Sequence, residues 1–234
     1  YALTSEDPLP IKTIATIIQH NTSGFVSLKS ANINSVKDFE GKTYAGWGAP
    51  SEEAVIKAVM NEAGADFSKL NIVGSDGSGI AGLSDEVGKN KVNLGWEFYG
   101  WAIIKALQDG YDLNYMPLAD LDNRLDYYTP VIITNKKMIK KNSDTVKKFM
   151  EATKKGYEYA IDHPSKAAEI LHEDALSDTD LKFLKESQKY LSSQYAKDAD
   201  SWGVMKDSVW DNYTDFMYET GLISQKIDAK DQYT

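Results

Sequence analysis

The chain has 234 residues, 42% hydrophobic and 26% charged, enough for one large domain or two small ones with cores of their own. Acidic residues outnumber basic ones 35 to 26, a formal net charge of −9, and without a basic patch nucleic acid and anionic membrane surfaces are poor partners. Cysteine is absent, which excludes disulfides, thiolate nucleophiles and thiolate metal sites, and no apolar run is long enough to span a bilayer.

The chain opens "YALTSEDPLP", which reads as a cut edge. Residues 11–18, "IKTIATII", are short and rich in β-branched side chains, which predicts a strand. A turn and a second short strand follow in "NTSGFVSLKS", and a third strand runs from Thr43 to Trp47 after the turn at Gly41. Pro50 and Ser51 open a helix, with Ser51 as N-cap and Glu52 and Glu53 in the first turn, where the helix dipole favours negative charge. Ala54, Val55, Ala58 and Val59 give this helix its apolar face, and Gly64 ends it. "LNIVGS" and "VNLGW" are further strands, separated by the Gly/Ser-rich "SDGSGIAGLSDEVGKN". A helix "FYGWAIIKALQDG" then stops at Gly110, before the strand "LNYMPL". Strand and helix alternate from Lys42 to Leu118, which predicts a parallel α/β sheet. After the strand "VIITN" nearly everything is helical. Val146, Phe149, Met150, Tyr157 and Ala160 form one stripe, Ser177 with Asp180 resembles a capping box, and Gly221 closes the last long helix.

The segment "DFEGKTYAGW…EEAVIKAVMNEAG" and the run "VNLGWEFYGW" resemble the solute-binding proteins of bacterial ABC importers, in particular the subgroup sharing a fold with thiamine-pyrimidine synthesis proteins. "IATIIQHNTSGFVSLK" and "DYYTPVIITNKKMI" resemble its two crossovers between lobes, and "TVKKFMEATKKGYEYAIDHPSKAAEIL" its first-lobe helices. The resemblance implies an α/β, two-lobe, type II periplasmic-binding-protein-like fold. Lobe 1 would comprise residues 1–36 and 123–234, and lobe 2 residues 37–122. It begins in the middle of lobe 1, so lobe 1 is expected to be truncated at the N-terminus and to self-associate through exposed strand edges. It also implies an extracytoplasmic lipoprotein, no catalysis, no cofactor, and the membrane permease of an importer as partner.

The stretch "NLGWEFYGW" puts four aromatics beside one glutamate where a strand turns into a helix. In open α/β sheets ligands bind beyond the carboxyl ends of strands. Trp47 and Trp96 stand at two such ends and are the candidate stacking platform, with Tyr99 and the pair Tyr127 and Tyr128 added to it. Phe98 and Trp101 are expected to pack the helix on the sheet. Trp96 is read as the last strand residue and Glu97 as the first of the helix. Glu52, Glu53 and Glu97 give the site its sign. Dipole capping accounts for one or two of them, Glu52 first, but together they oppose sulfonate, nitrate or phosphate, which would want bare helix N-termini. They suit a flat ring with amino groups, such as an aminopyrimidine. His20, Asn21, Thr22 and Ser23 form a polar turn that would face the site from the opposite lobe. No metal site is expected: His172, Glu173 and Asp174 are consecutive, and three consecutive helical residues cannot all face one ion.

These residues suit a flat amino-heterocycle, and the resemblance implies a carrier for a thiamine-precursor pyrimidine or a similar ligand. One alternative is a pyrimidine-synthesis enzyme on the same fold, which would need a cysteine-rich iron motif this chain lacks. Another is a sulfonate- or anion-binding protein, which the glutamates oppose.

Overall fold

The computed structural model describes all 234 residues. In chain order the elements are β1 (Ile11–Thr16), β2 (Ser23–Leu28), β3 (Thr43–Gly46), α1 (Pro50–Glu62), β4 (Asn71–Gly74), β5 (Leu94–Phe98), α2 (Ile104–Gln108), β6 (Leu113–Pro117), α3 (Leu118–Leu121), β7 (Val131–Asn135), α4 (Lys136–Lys141), α5 (Ser143–Asp162), α6 (Pro164–Asp174), α7 (Leu181–Ser192), α8 (Asp207–Glu219) and α9 (Ala229–Gln232). They form two compact units. The first joins Tyr1–Asn21 to Arg124–Thr234; the second is Thr22–Asn123. The expected boundary at residue 37 therefore moves to residue 22. The reason is β2, which hydrogen-bonds to both β5 and β6 and so belongs to the second unit's sheet.

That sheet has the order β4-β3-β5-β2-β6. β3 runs parallel to β4 and β5, whereas β2 is antiparallel to both its neighbours. The strands of the alternating region, β3 to β6, run in one direction as expected, and the sheet as a whole is mixed. Four strands share a direction, and β2, which precedes the alternating region, fills the slot between β5 and β6 the other way round. Side chains alternate across the sheet. On one face Phe25 is fully buried among Phe39, Tyr44 and Trp96, with ring centroids 5.3, 6.2 and 5.7 Å away, mostly edge to face. On the other face Val26 joins Ile80, Ile103 and Ala106 in a second cluster.

Three local expectations shift. The N-cap of α1 is Ala49, with Pro50 at the first helical position, where its missing N–H costs nothing. The buried face of α1 is Glu52, Val55, Ile56, Val59 and Met60, so Ile56 and Met60 replace the two alanines of the expected face. The helix after β5 begins as a π turn, Tyr99–Ile103, and only then tightens into α2. Gly64 and Gly110 do follow their helices in the left-handed conformation, at φ 70° and 89°.

The first unit pairs β1 with β7 antiparallel, with a bulge between Thr13 and Ala15. Ala15, Ile18, Tyr195 and Trp202 form its buried cluster, against which Met150, Tyr157, Ala160 and Leu191 pack. Tyr157 stacks on Trp202 with ring centroids 4.3 Å apart. Phe149, expected in the α5 stripe, is instead more than half exposed. Asp180 caps α7 alone, accepting from the N–H groups of Lys182 and Phe183.

Phe25 holds the aromatic face of the second unit together. Phe25→Ala is expected to cost about 3–5 kcal/mol, the usual range for a buried phenylalanine, measured as a lower urea midpoint for loss of tryptophan fluorescence.

Candidate functional site

The chemistry converges at the carboxyl ends of β3 and β5, within the second unit. β3 ends at Gly46, and Trp47 and Gly48 form the loop into α1. Glu52, in the first turn of α1, points back beneath this loop and is only 3% exposed. One carboxylate oxygen accepts from the Tyr44 hydroxyl at 2.5 Å and the Trp47 N–H at 3.3 Å, and the other from the Gly48 N–H at 2.9 Å. A buried carboxylate is tolerable only when its oxygens are satisfied in this way. Burial and the bond to Glu52 push the Tyr44 hydroxyl far above its ordinary pKa, so it stays a donor. Gly46 is required here: a Cβ would lie 2.2 Å from a Glu52 carboxylate oxygen. Glu52 therefore fixes the Trp47 loop, which corrects its expected place among the ligand-facing carboxylates.

Trp47 is 59% exposed, and its ring centroid lies 5.2 Å from that of Trp96, tilted by 60°. Trp96 is half-buried, and its indole N–H has no acceptor. β5 continues to Phe98, so Trp96 and Glu97 are consecutive strand residues on opposite faces, not the last of a strand and the first of a helix. Trp96 faces Phe25, whereas Glu97 shares its face with Gly95 and Val26. The Glu97 carboxylate is half-buried and has no hydrogen-bond or ion-pair partner, and burial pushes its pKa up.

Trp47, Trp96 and Glu97 are among the residues that border a cavity of about 380 Å³ over the Val26, Ala45 and Gly95 face of the sheet, the Glu97 side chain standing on that face. Its outer wall is the segment from Ser75 to Val92, including Asp76, Ser78, Ile80, Asn90 and Lys91. Asp76 accepts from the Ser78 N–H at 2.9 Å, and its bonds to Ser78 hold its carboxyl below the usual range. Lys91 is paired with Glu86 at 2.8 Å. The wall is tied down by Asn93, which is fully buried. Its side chain accepts from the Thr43 N–H and donates to the carbonyls of Ser84 and Glu86. Asn93 and this wall escaped the sequence reading. The density of glycine in "SDGSGIAG" was the available signal.

The other candidates lie elsewhere. Glu53 is exposed and lines no part of the cavity. Tyr99 packs into the second apolar cluster, edge-on to Tyr115 at 5.4 Å. Ser23 is buried in β2, opposite Phe98. Phe98, the last residue of β5, and Trp101, in the π turn, are each about half exposed. In the first unit, His20 Nδ1 lies 2.6 Å from one oxygen of Asp126 and Nε2 lies 3.3 Å from Asp198. Asn21 donates its N–H to Asp126 and its side-chain amide to the Leu125 carbonyl, both at 2.8 Å. Tyr127 stacks on Tyr213 at 4.1 Å. The Tyr128 hydroxyl accepts from the Lys206 N–H at 2.9 Å. The sequence candidates that border the cavity are therefore Trp47, Trp96 and Glu97.

A family model described as NMT1/THI5 like matches residues 1–167. The chain belongs to the NMT1/THI5-like family. It is 24% identical over 172 residues to a formylaminopyrimidine-binding protein of Halalkalibacterium halodurans, covering 70% of this chain and 48% of that one. It is also 24% identical over 251 residues to the riboflavin-binding protein RibY of Chloroflexus aurantiacus, covering 99% of this chain and 66% of that one. The chain thus spans about half and about two thirds of these relatives' lengths. Its structure is similar to the aliphatic sulphonate binding protein SsuA of Escherichia coli, with a TM-score of 0.68 and 12% identity over 96% of this chain and 69% of that one. It is also similar to the desulfurization enzyme DSZB, with a TM-score of 0.63 and 11% identity over 100% and 79%. At these identities the structural likeness speaks for the fold: this NMT1/THI5-like chain has the periplasmic-binding-protein-like α/β fold. No helix is long and apolar enough to cross a membrane.

Glu52→Gln keeps the shape but turns one acceptor into a donor facing backbone N–H. It is expected to cost about 1.5–3 kcal/mol, as for a charged hydrogen bond, read from urea denaturation. It is also expected to weaken the exciton couplet of the Trp47–Trp96 pair in circular dichroism. An unchanged couplet would show that the loop holds its place without the carboxylate.

Proposed function

We propose that the cavity of the second unit binds a flat amino-heterocycle, an aminopyrimidine in the first instance. We further propose that the chain belongs to the extracytoplasmic, lipid-anchored solute-binding component of an ABC importer, delivering that ligand to the membrane permease. The observation that carries the reading is the tilted pair Trp47 and Trp96 at the strand ends bordering the cavity, with an unpaired, half-buried Glu97 carboxylate on the cavity's own face of the sheet. Indole faces stack on planar rings, and a carboxylate is an acceptor that seeks the N–H groups of a ring substituent. The names of two relatives support it. Formylaminopyrimidine and riboflavin both present a flat ring system containing a pyrimidine. Sulfonate is the weaker reading, because Asp76 and Glu97 border the cavity and its one cation, Lys91, is already paired. The chain then works by binding and release, with no turnover of its own. A titration of the whole protein with 4-amino-2-methylpyrimidine, followed by tryptophan quenching, tests this directly. Saturation by an alkanesulfonate, with no response to aminopyrimidines, would reverse it.

Trp96→Ala is expected to weaken every flat ligand by about 1–3 kcal/mol, the range for base–aromatic stacks. Glu97→Gln is expected to cost about 1.5–3 kcal/mol for amino-bearing rings and much less for rings without donors. Calorimetry with matched ligands separates the two.

The raised pKa of Glu97 gives a pH signature. Ligand N–H donors favour the ionised carboxylate, so binding expels a proton wherever Glu97 is partly protonated. For a ligand that does not itself titrate, affinity should rise with pH up to the raised pKa of Glu97 in the free protein, then level off. Glu97→Gln should flatten this profile, and an unaltered slope would place the titrating group elsewhere.

A further inference from the structure

Two glycines within the strands of the second unit are fixed by packing. A Cβ on Gly46 would strike Glu52, and one on Gly24 would lie 2.4 Å from the Met116 carbonyl oxygen, so packing demands both. Gly95 differs. It sits inside β5, opposite Val26 of β2, and the nearest atom to an added Cβ is the Ala45 carbonyl oxygen at 3.9 Å. Its φ lies outside the left-handed region, so the backbone does not call for glycine either. Glycine inside a strand is unfavourable, and where it stands it often marks the close approach of a ligand or another backbone. The space a side chain would fill at Gly95 is the cavity itself, between Ala45 and the wall at Ile80.

We propose that Gly95 is a specificity-determining residue of this cavity: its missing side chain leaves the β3–β5 backbone bare, so that a planar ring held at its edge by Glu97 lies flat against peptide groups. This rests on the flat-ligand reading above and adds a selection by thickness. Glu97 is two residues along the same strand and on the same face, so a ring donating to its carboxylate extends back across Gly95. Ala45, on the neighbouring parallel strand, keeps the adjoining floor shallow. Rings with out-of-plane substituents would meet the wall before reaching the carboxylate.

The experiment uses Gly95→Ala and Gly95→Val in the whole protein, with 4-amino-2-methylpyrimidine and riboflavin as probes. Melting temperatures are expected to stay level or rise, because alanine and valine suit a strand better and the space is open. Affinity for the probe that the wild type binds is expected to fall at least tenfold for alanine and further for valine. Folded variants that bind like the wild type would overturn the proposal while leaving the flat-ligand reading intact. A sharp fall in melting temperature would also overturn it, by showing that glycine serves the fold. A wild type that binds neither probe would remove the flat-ligand reading itself, and this proposal with it.

Discussion

The site rests on one buried carboxylate. Glu52 gathers the Tyr44 hydroxyl and two loop N–H groups onto its oxygens, and the Trp47 loop takes its shape from them. Without those donors the charge could not be buried; without the carboxylate the N–H groups at the head of α1 would lack acceptors. Each side of the arrangement therefore requires the other. Gly46 is drawn in as well, since no larger residue fits beside the carboxylate. An exposed tryptophan is usually mobile; here its backbone is anchored from below.

The anchor also ties into the aromatic face of the sheet. Tyr44 belongs to the aromatic core around Phe25, which in turn supports Trp96. The stacking pair is thus braced from the core on the Trp96 side and from α1 on the Trp47 side. Glu97 stands on the other face, where Val26, Ala45 and Gly95 form a shallow floor. Apolar support on one face and a cavity on the other follow from the period of two along a strand. The unpaired indole N–H of Trp96 and the unpaired carboxylate of Glu97 are the polar groups at the site that the fold leaves unsatisfied.

Much of this was legible in the chain order of residues. The alternation of apolar strands and helical stripes between Lys42 and Leu118 marked an α/β sheet. The aromatic density of "NLGWEFYGW" marked the strand end where the cavity lies. Trp47, Trp96 and Glu97 were recognisable because indoles and an acid at strand ends serve a core poorly. These are local signals, carried by composition and period, and they survive without knowledge of partners.

What the sequence could not decide were matters of direction and pairing. β2 reads as a short strand, but only tertiary hydrogen bonding shows that it enters antiparallel between β5 and β6, and so belongs to the second unit. Glu52 and Glu53 are neighbours of identical chemistry. The helix turns one inward to Tyr44 and leaves the other in solvent, a difference of about 100° around the axis that composition does not record. His20, Asn21, Tyr127 and Tyr128 read as a polar cluster, but their partners Asp126, Asp198, Leu125, Tyr213 and Lys206, all far away along the chain, are visible only in the fold. The sequence by itself determined which residue types and which periods were available. The three-dimensional packing decided which polar atoms found partners inside the fold and which did not, because those partners come from distant parts of the chain.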